Sequence, residues 1–525
     1  MMTPRRSAVL TAAVLILLAL SCGSACSAGA ERVADNTAHV SIALPGTDHR
    51  LDISVDGAAI ELDEELVGEP FLGTRDRTLI YRIGGSDPRA TLRVVVRALP
   101  DGATIVFTRL EAIRGSEEVV QRYALGDGEL TFQGMDAADP QPPTKSPSVG
   151  YDRTTNPAGL VVMGSGDTTA AGVALVGKSF ESRVLTHAYD DGSVSQVREL
   201  ATERAGLGID ESGTRPELVL REEARAGYRA ERYVLILPGP EPLGGLTPDE
   251  LRRITIREFN WVTDDGTYVK LPWSIIPKTE DGYGIGLRAM RCQEVMDSLR
   301  AGESPVMRAL LFNNVAALRE LRSADGLWRT PYTSTWVGQK TQIHAPYVDT
   351  RHNGELALHV LSVSDRLAGE GIEDARMLAQ WAEPFAGYLD GKARAGQVVR
   401  AGDGFYFHDY YDDDGTTHSH VSLNHALGEM NYLLLLYEHT GNERWLDLAL
   451  SIKRAVDHTG EDWIAPSGDL HYQMNPDGTF GGTDYATVTL YDLRFSQTLF
   501  DRIMGARDPV FDALIVSKEA FNASR

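Results

Sequence analysis

The chain has 525 residues, 42% hydrophobic and 24% charged, which is ordinary for a globular protein of two or three domains. Its formal net charge of −23 argues against a general nucleic-acid-binding function and weighs against a polyanionic ligand, unless the binding cleft is locally basic. Two of its three cysteines, Cys22 and Cys26, lie near the N-terminus. Only Cys292 remains for the folded body, which excludes a disulfide within that body and a cysteine-rich zinc site.

The N-terminal segment, residues 1–30, is predicted to be an export signal. Two arginines precede the apolar run 8–20, which is too short to cross a bilayer of about 30 Å. The tripeptide 28–30 suits ordinary signal cleavage, whereas Cys22 within Leu-Ser-Cys-Gly-Ser resembles a bacterial lipobox. We therefore expect an exported protein that is extracellular, periplasmic or lipid-anchored at the cell surface.

The next segment, residues 31–245, is predicted to be rich in β-strands. Its apolar runs are short, β-branched and separated by Gly, Asp and Pro turns, and no helical stripe of useful length lies between them. Four of these runs are residues 92–97, 104–107, 173–176 and 233–236. This pattern predicts a β-sandwich or β-barrel domain.

From residue 246 to 525 the apolar spacing becomes helical and predicts about eight helices paired as hairpins. Gly441 and Gly460 suit helix ends, and Asn442 suits the start of the next helix. The predicted helices lie near residues 285–300, 303–322, 356–367, 372–391, 423–437, 445–456, 488–499 and 508–524. The polar loops 328–353, 403–420 and 463–485 separate the hairpins. We expect a C-terminal (α/α) toroid whose cleft these loops line.

Short motifs in the last 120 or so residues resemble the C-terminal domain of the D-glucuronyl C5-epimerases, which remodel heparan-type polysaccharides. The shared pattern begins with an acid and a tyrosine, continues through a Thr-Thr pair and a Leu-Asn, and ends with a Ser-Gly turn, an Asp-Tyr and an Asp-Pro-Val-Phe. The matching runs here are residues 409–411, 416–417, 423–424, 467–468, 484–485 and 508–511. The resemblance implies a carbohydrate epimerase with a toroidal catalytic domain.

The resemblance also implies roles for individual residues. The family's catalytic tyrosine in the Asp-Tyr motif corresponds to Tyr485, and its Glu-Tyr pair corresponds to a choice among Asp409, Tyr410 and Tyr411. The family's Tyr and Arg after the Ser-Gly turn match only in part. His471 or Tyr472 takes the tyrosine position, one of the two facing the cleft if the run is a strand, and no arginine follows in this loop.

Inversion at C5 of a hexuronic acid removes a proton next to a carboxylate, so it requires a base, an acid on the opposite face, and a cation or strong donors on the carboxylate. Tyr485 is expected to lie in the first turn of its helix and to serve as one acid/base group. Asp409 with Tyr410 or Tyr411 is expected to serve the other face. Tyr472 is a further candidate catalytic residue. The candidate substrate-binding residues are His471, Arg351, His352, Asn353, Lys340, Trp336, Tyr347, Asn424 and Arg494. Asn424 is also a candidate helix cap and Arg494 a candidate surface charge.

No cofactor or metal is expected, because neither a phosphate loop nor a dinucleotide-binding fingerprint is present. Calcium bound by Asp409, Asp412 and Asp414 is not favoured, since the run lacks the EF-hand spacing. Zinc on the four histidines near this run is not favoured either, because their spacing fits no helical pair. These histidines, His408, His418, His420 and His425, are expected to form loop hydrogen bonds.

Three alternatives remain open at the level of sequence. A polysaccharide lyase would make the same proton abstraction and then eliminate the linked chain. A glycoside hydrolase would need two carboxylates at a defined separation, for which Asp409, Asp413 and Glu355 are candidates. A surface glycan-binding lipoprotein would use the aromatic residues without catalysis. The expected partner is a polysaccharide, not a nucleic acid, with a lipid anchor and a homodimer both left open.

Overall fold

A computed structural model describes residues 39–46, 48–135, 157–164, 170–239, 241–259, 261–272, 274–412 and 419–525, without the side chains of residues 170, 256, 257 and 338–340. The predicted signal segment, the Thr-Thr motif, Asp413, Asp414 and His418 lie outside the described residues, and so does the Lys340 side chain. Within these ranges no helix is both long and apolar enough to cross a membrane.

The first half of the chain is built of antiparallel β-structure, as predicted. β-Branched runs such as Val94-Val95-Val96 suit pleated, buried strands. The strands before the first helix are β1 His39–Ala43, β2 Arg50–Ser54, β3 Ile60–Val67, β4 Arg75–Ile83, β5 Ala90–Ala98, β6 Thr104–Ala112, β7 Ser116–Ala124, β8 Leu130–Gly134, β9 Gly159–Gly164, β10 Ala170–Val176, β11 Ser179–Ala188, β12 Val194–Arg204, β13 Leu207–Asp210, β14 Glu217–Arg225 and β15 Arg229–Pro238.

Two sheets share an apolar core in this part of the molecule. Among the described residues, one sheet has five strands in the order β1-β2-β7-β14-β13, and the other has thirteen. The path of the larger sheet starts with three strands from later in the chain, β16 (Trp261–Thr263), β17 (Gly266–Lys270) and β19 (Gly282–Ile285), and continues in the order β12-β11-β15-β6-β5-β4-β3, with β8, β9 and β10 attached beside β15. Alternate residues of β7, including Val119 and Tyr123, point inward and meet Val94 and Val234 of the larger sheet. The sheets therefore bury one face each against the other.

The chain continues the larger sheet for a short distance before it becomes mainly helical. The elements from α1 onward are α1 Pro248–Glu258, β16 Trp261–Thr263, β17 Gly266–Lys270, β18 Ile275–Ile276, β19 Gly282–Ile285, α2 Gln293–Ala301, α3 Pro305–Leu321, β20 Thr333–Ser334, α4 Thr335–Thr341, β21 Val348–Asp349, α5 Thr350–Gly369, α6 Glu383–Arg394, β22 Val399–Ala401, β23 Gly404–Tyr406, β24 Tyr410–Tyr411, β25 Val421–Ser422, α7 Leu423–Thr440, α8 Glu443–Thr459, β26 His471–Met474, β27 Phe480–Thr483, α9 Val488–Met504 and α10 Pro509–Ala523. In the part of the chain that the structure describes, 3₁₀ segments also occur at Ala289–Arg291, Glu373–Trp381 and Gly460–Trp463.

Local sequence signals explain several helix boundaries. Gly441 ends α7 with φ +67°, and the Asn442 side chain accepts a hydrogen bond from the Arg444 amide, which confirms both predicted boundaries. Two other boundaries differ from prediction. Helix α9 begins at Val488, so Tyr485 precedes the helix instead of lying in its first turn. Helix α7 begins at Leu423 with Ser422 in the N-cap position, so Asn424 does not cap it.

Helix α7 lies at the centre of the helical region and is buried over most of its length. It packs against α5, α8 and α9, and α9 packs against α10. Short antiparallel pairs precede these helices: β21 pairs with β24 just before α5, and β25 pairs with β26 just before α7. The polar segments that start α5, α7 and α9 are thereby brought together at one end of the helices.

Candidate functional site

The polar residues that start α5 and α7 converge on the buried carboxylate of Asp409. This side chain has no solvent exposure and accepts hydrogen bonds from the Ser422 amide, at 2.7 Å, and from the Ser422 hydroxyl, at 2.6 Å. His420 Nε2 lies 3.1 Å and His425 Nε2 3.8 Å from Asp409 Oδ2. Burial favours a raised pKa, but the two histidines and Ser422 outweigh it, so the pKa of Asp409 lies below its ordinary value.

His425 connects Asp409 to helix α5. Its Nδ1 lies 3.0 Å from the hydroxyl of Thr350, and that hydroxyl donates to the backbone oxygen of Asp409 at 3.0 Å. Burial lowers the pKa of His425 more than Asp409 raises it, so this imidazole is held neutral. The dyad formed by Asp409 and His425 is thus fixed in orientation from both sides.

His420 and four aromatic side chains form one group, which we call the aromatic cluster: Trp336, Tyr410, His420, Tyr472 and Tyr485. The His420 ring centroid lies 4.8 Å from Trp336 and 6.0 Å from each of Tyr410 and Tyr472. Tyr472 in turn meets Tyr485 edge to face at 5.7 Å. An imidazole backed by a carboxylate and flanked by phenols is an arrangement suited to proton transfer.

The cluster grades from buried to exposed. Tyr410 and His420 are almost fully buried, Trp336 and Tyr472 are partly exposed, and Tyr485 is 50% exposed. Burial raises the pKa of Tyr410 and of Tyr472 well above the ordinary tyrosine value, so both are protonated at neutral pH. A ligand approaching from solvent would meet Tyr485, Tyr472 and Trp336 first.

Arg351, predicted to hold a substrate carboxylate, is already paired with protein carboxylates. Arg351 lies in the first turn of α5, where it donates to Glu355 at 2.8 Å, to Asp492 at 2.5 Å and to the backbone oxygen of Asn424 at 2.5 Å. Arg291 also contacts Glu355 at 2.8 Å, and these two arginines outweigh burial to lower the pKa of Glu355 to about 2. Arg351 therefore joins α5 to α7 and α9 through its ion pairs.

The structure places the other predicted residues around this centre in different ways. His352 lies beside Asp349, with Nδ1 3.2 Å from the carboxylate, and its side chain is 28% exposed. Tyr347 packs edge to face on Tyr410 at 5.7 Å. His471 and Tyr472 lie on β26, as the alternation predicts, but His471 packs towards Phe480 and away from the cluster. Of this pair, Tyr472 faces the site.

Three predicted residues have partners elsewhere. The Tyr411 hydroxyl donates to the Gln397 oxygen at 2.8 Å and accepts from the His408 amide, so it is a buried structural group. Asn353 is also buried and bonds the backbone of Trp328 in both directions. Arg494 is exposed and pairs with Glu519. These three side chains are not part of the aromatic cluster.

Two ionisable groups beside the site were not predicted from the sequence. Glu429, one turn beyond His425 on α7, is buried, and burial raises its pKa well above the ordinary value, so it is held protonated. Lys518 on α10 is also fully buried. His420, predicted only as a loop hydrogen-bonding group, lies at the centre. Among the described residues no group of three His, Cys, Asp or Glu side chains is arranged to hold a metal ion.

Comparison with known proteins gives structural likenesses only. No family model and no curated protein matches the sequence. A D-mannose isomerase matches 46% of this chain and 60% of its own length at 13% identity and a TM-score of 0.34. A glycoside hydrolase family 76 mannosidase from Bacteroides thetaiotaomicron matches 45% and 58% at 13% identity, TM-score 0.31. Cellobiose 2-epimerase from Spirochaeta thermophila matches 45% and 51% at 13% identity, TM-score 0.28. The chain thus spans about half to three-fifths of each of these proteins.

Proposed function

We propose that this protein is a carbohydrate epimerase that inverts C5 of hexuronic acid residues in a polysaccharide, with its helices forming an (α/α) toroid. The observation that carries the proposal is the convergence of four acid/base side chains on one partly open cluster. These are His420, backed by Asp409, and the phenols of Tyr410, Tyr472 and Tyr485. Trp336, which contacts His420 and Tyr472, offers a ring on which a sugar can stack.

The proposed reaction needs one proton acceptor and one proton donor on opposite faces of the sugar ring. The Asp409 carboxylate lies 3.1 Å from His420 Nε2 and orients the ring, so we assign His420 as the base, in place of the pairing of Asp409 with Tyr410 or Tyr411 expected from sequence. Tyr472 and Tyr485 lie at the exposed side of the cluster, so we assign them the proton return. Tyr410 is too deeply buried to reach solvent directly and supports the His420 ring.

The substrate carboxylate requires neutralisation as negative charge develops on C5. Arg291, Arg351 and Lys518 each pair with a protein carboxylate, so none of the three is assigned this role. We propose that Lys340 from α4 and Asn424 from the start of α7 hold the carboxylate. His352 already lies 3.2 Å from the Asp349 carboxylate and is not assigned this role.

A polysaccharide lyase uses the same proton abstraction and remains the nearest alternative. A hydrolase is less favoured, because Asp409 is engaged by Ser422 and two histidines, and Glu355 by two arginines. A second candidate is favoured by the pairing of the neighbouring arginines. A site with few free cations suits removal of the proton at C2, which lies next to the uncharged carbonyl of a reducing sugar. Removal of this proton leads to epimerisation or isomerisation at C2.

We further propose that the protein is exported by its N-terminal segment. The proposal also includes anchoring through a lipidated Cys22 and assembly as a homodimer. It includes function without a metal or cofactor as well. A polysaccharide is the proposed partner. The resemblance of the C-terminal motifs implies that this polysaccharide is a heparan-type chain.

The direct test is incubation with a panel of uronic acid polysaccharides in deuterated water, followed by proton NMR and ultraviolet absorbance. Deuterium at C5 in intact chains supports the epimerase, and new unsaturated ends support the lyase. The same incubation with reducing disaccharides tests for deuterium at C2. Tyr411→Phe is the matched control for Tyr485→Phe, because Tyr411 lies outside the cluster. Absence of exchange with every uronan would contradict the main proposal.

A further inference from the structure

Lys518 is a fully buried lysine on the last helix, and it contacts two buried carboxylates from other segments. Its Nζ lies 2.5 Å from Asp469 Oδ1 and 2.8 Å from Asp484 Oδ2, and both aspartates are less than one-tenth exposed. A buried lysine of this kind persists only where it is paired, because taking an ammonium group out of water is very unfavourable. The two aspartates together supply that pairing.

Each aspartate lies shortly before a tyrosine of the aromatic cluster in the sequence. Asp469 comes two residues before β26, which holds Tyr472, and Asp484 directly precedes Tyr485. Each carboxylate is fixed a second time within its own segment. The Leu470 amide donates to Asp469 Oδ1 at 2.8 Å, and the Thr489 hydroxyl donates to Asp484 Oδ1 at 2.6 Å.

The neighbouring residues of α10 contact the same two segments. The Ser517 hydroxyl donates to the Gly468 oxygen at 2.8 Å, and the Asn522 amide donates to the Ala486 oxygen at 2.7 Å. Helix α10 therefore contacts the segment before Tyr472 and the segment around Tyr485 at three positions, Ser517, Lys518 and Asn522. Lys518 is the residue that touches both.

We propose that Lys518 is a positioning residue that sets the relative placement of Tyr472 and Tyr485. It acts through Asp469 and Asp484 and has no direct contact with substrate. The edge-to-face contact between the two tyrosines, at 5.7 Å, is the geometry that this ion triad maintains. The proposal rests on the function assigned above only for its consequence in catalysis; the placement itself is measurable without substrate.

The test compares Lys518→Met with Lys453→Met in the mature protein. Lys453 is a matched control, because it also pairs with two aspartates, Asp457 and Asp508, but joins α8 to the start of α10. Both variants are expected to lower the unfolding temperature. Hydrogen exchange followed by mass spectrometry is expected to be faster across residues 468–487 in Lys518→Met and unchanged there in Lys453→Met.

If uronan exchange is observed for the natural protein, Lys518→Met is expected to lower kcat by on the order of 10²-fold with little change in KM, because the acid is misplaced while the binding groups remain. Equal hydrogen exchange of residues 468–487 in Lys518→Met and the natural protein would overturn the proposal, whatever the outcome with substrates. A failure of the proposed function would instead appear as no deuterium incorporation by the natural protein.

A variant with Lys518→Met, Asp469→Asn and Asp484→Asn covers the case in which the single change prevents folding. It removes all three charges together, so no buried charge is left unpaired and much of the stability is recovered. Faster exchange of residues 468–487 in this folded variant supports the positioning role. Exchange equal to that of the natural protein would show that neither segment depends on the triad.

Discussion

Replacement of Asp409 by asparagine tests the centre of the candidate site most directly. The carboxylate accepts two hydrogen bonds from Ser422 and faces His420 and His425. Asparagine keeps one oxygen and so one of the Ser422 bonds, while its amide group faces donors that can no longer be satisfied. The loss of about one buried charge-assisted bond lowers the free energy of unfolding by about 1.5–3 kcal/mol.

The effect on catalysis is expected to be much larger than the effect on stability. Without a carboxylate to orient it, the His420 ring is no longer held in one tautomer and one position. We expect the rate of deuterium incorporation to fall by about 10²- to 10⁴-fold, the upper figure being the loss known for the equivalent change in a Ser-His-Asp triad. Proton NMR of a uronan in deuterated water measures this rate.

The pH dependence of stability supplies an independent check. The pKa of Asp409 is lowered in the folded protein, so its contribution is complete above the unfolded value of about 3.9 and is lost as pH falls below it. Asp409→Asn is expected to remove this contribution to the loss of folding stability in acid. Asp390→Asn is the control, since Asp390 is a buried carboxylate held by Arg394 and Arg444, away from the cluster. Unchanged turnover in Asp409→Asn would refute the assignment.

Three further predictions test other parts of the structure. Tyr485→Phe is expected to abolish most turnover with little change in stability, because this side chain is half exposed. Tyr411→Phe is expected to keep its activity but to lose a buried hydrogen bond and about 1 kcal/mol of stability. The NMR assay measures the turnover of the two variants, and urea denaturation measures their stability. Burial raises the pKa of Glu258 to about 7, so the free energy of unfolding is expected to fall as pH rises from about 4.3 to 7, and Glu258→Gln to flatten that decline in denaturation curves. Arg97→Met removes charge-assisted hydrogen bonds to the partly exposed Asp76 and to Asn313 of α3, and is expected to lower the free energy of unfolding by about 1.5–3 kcal/mol in the same assay; a loss under about 0.5 kcal/mol would show that this pairing is unimportant.

Much of the secondary structure was predictable because its signals are local. Short β-branched runs such as Val94-Val95-Val96 predicted strands, and helical spacing with Gly441 and Asn442 predicted the α7–α8 hairpin. Two errors lie at helix starts. Tyr485 and Asn424 were each assigned to the wrong position relative to a cap, since several residues near each start can end an extended segment, and tertiary contacts choose among them.

The sequence alone located the candidate site residues along the chain, in the loops before α5, α7 and α9, where polar and aromatic side chains precede apolar helical stripes. It did not determine which of those side chains share a site. Tyr410 and Tyr411 are adjacent in sequence, yet alternation on β24 directs Tyr410 into the cluster and Tyr411 into a structural hydrogen bond. The partner of Asp409 and the burial of Lys518 depend on contacts between residues 11 to 49 positions apart. Such residues come within hydrogen-bonding distance only when the helices pack together, so these contacts can be read from the tertiary structure and not from the sequence.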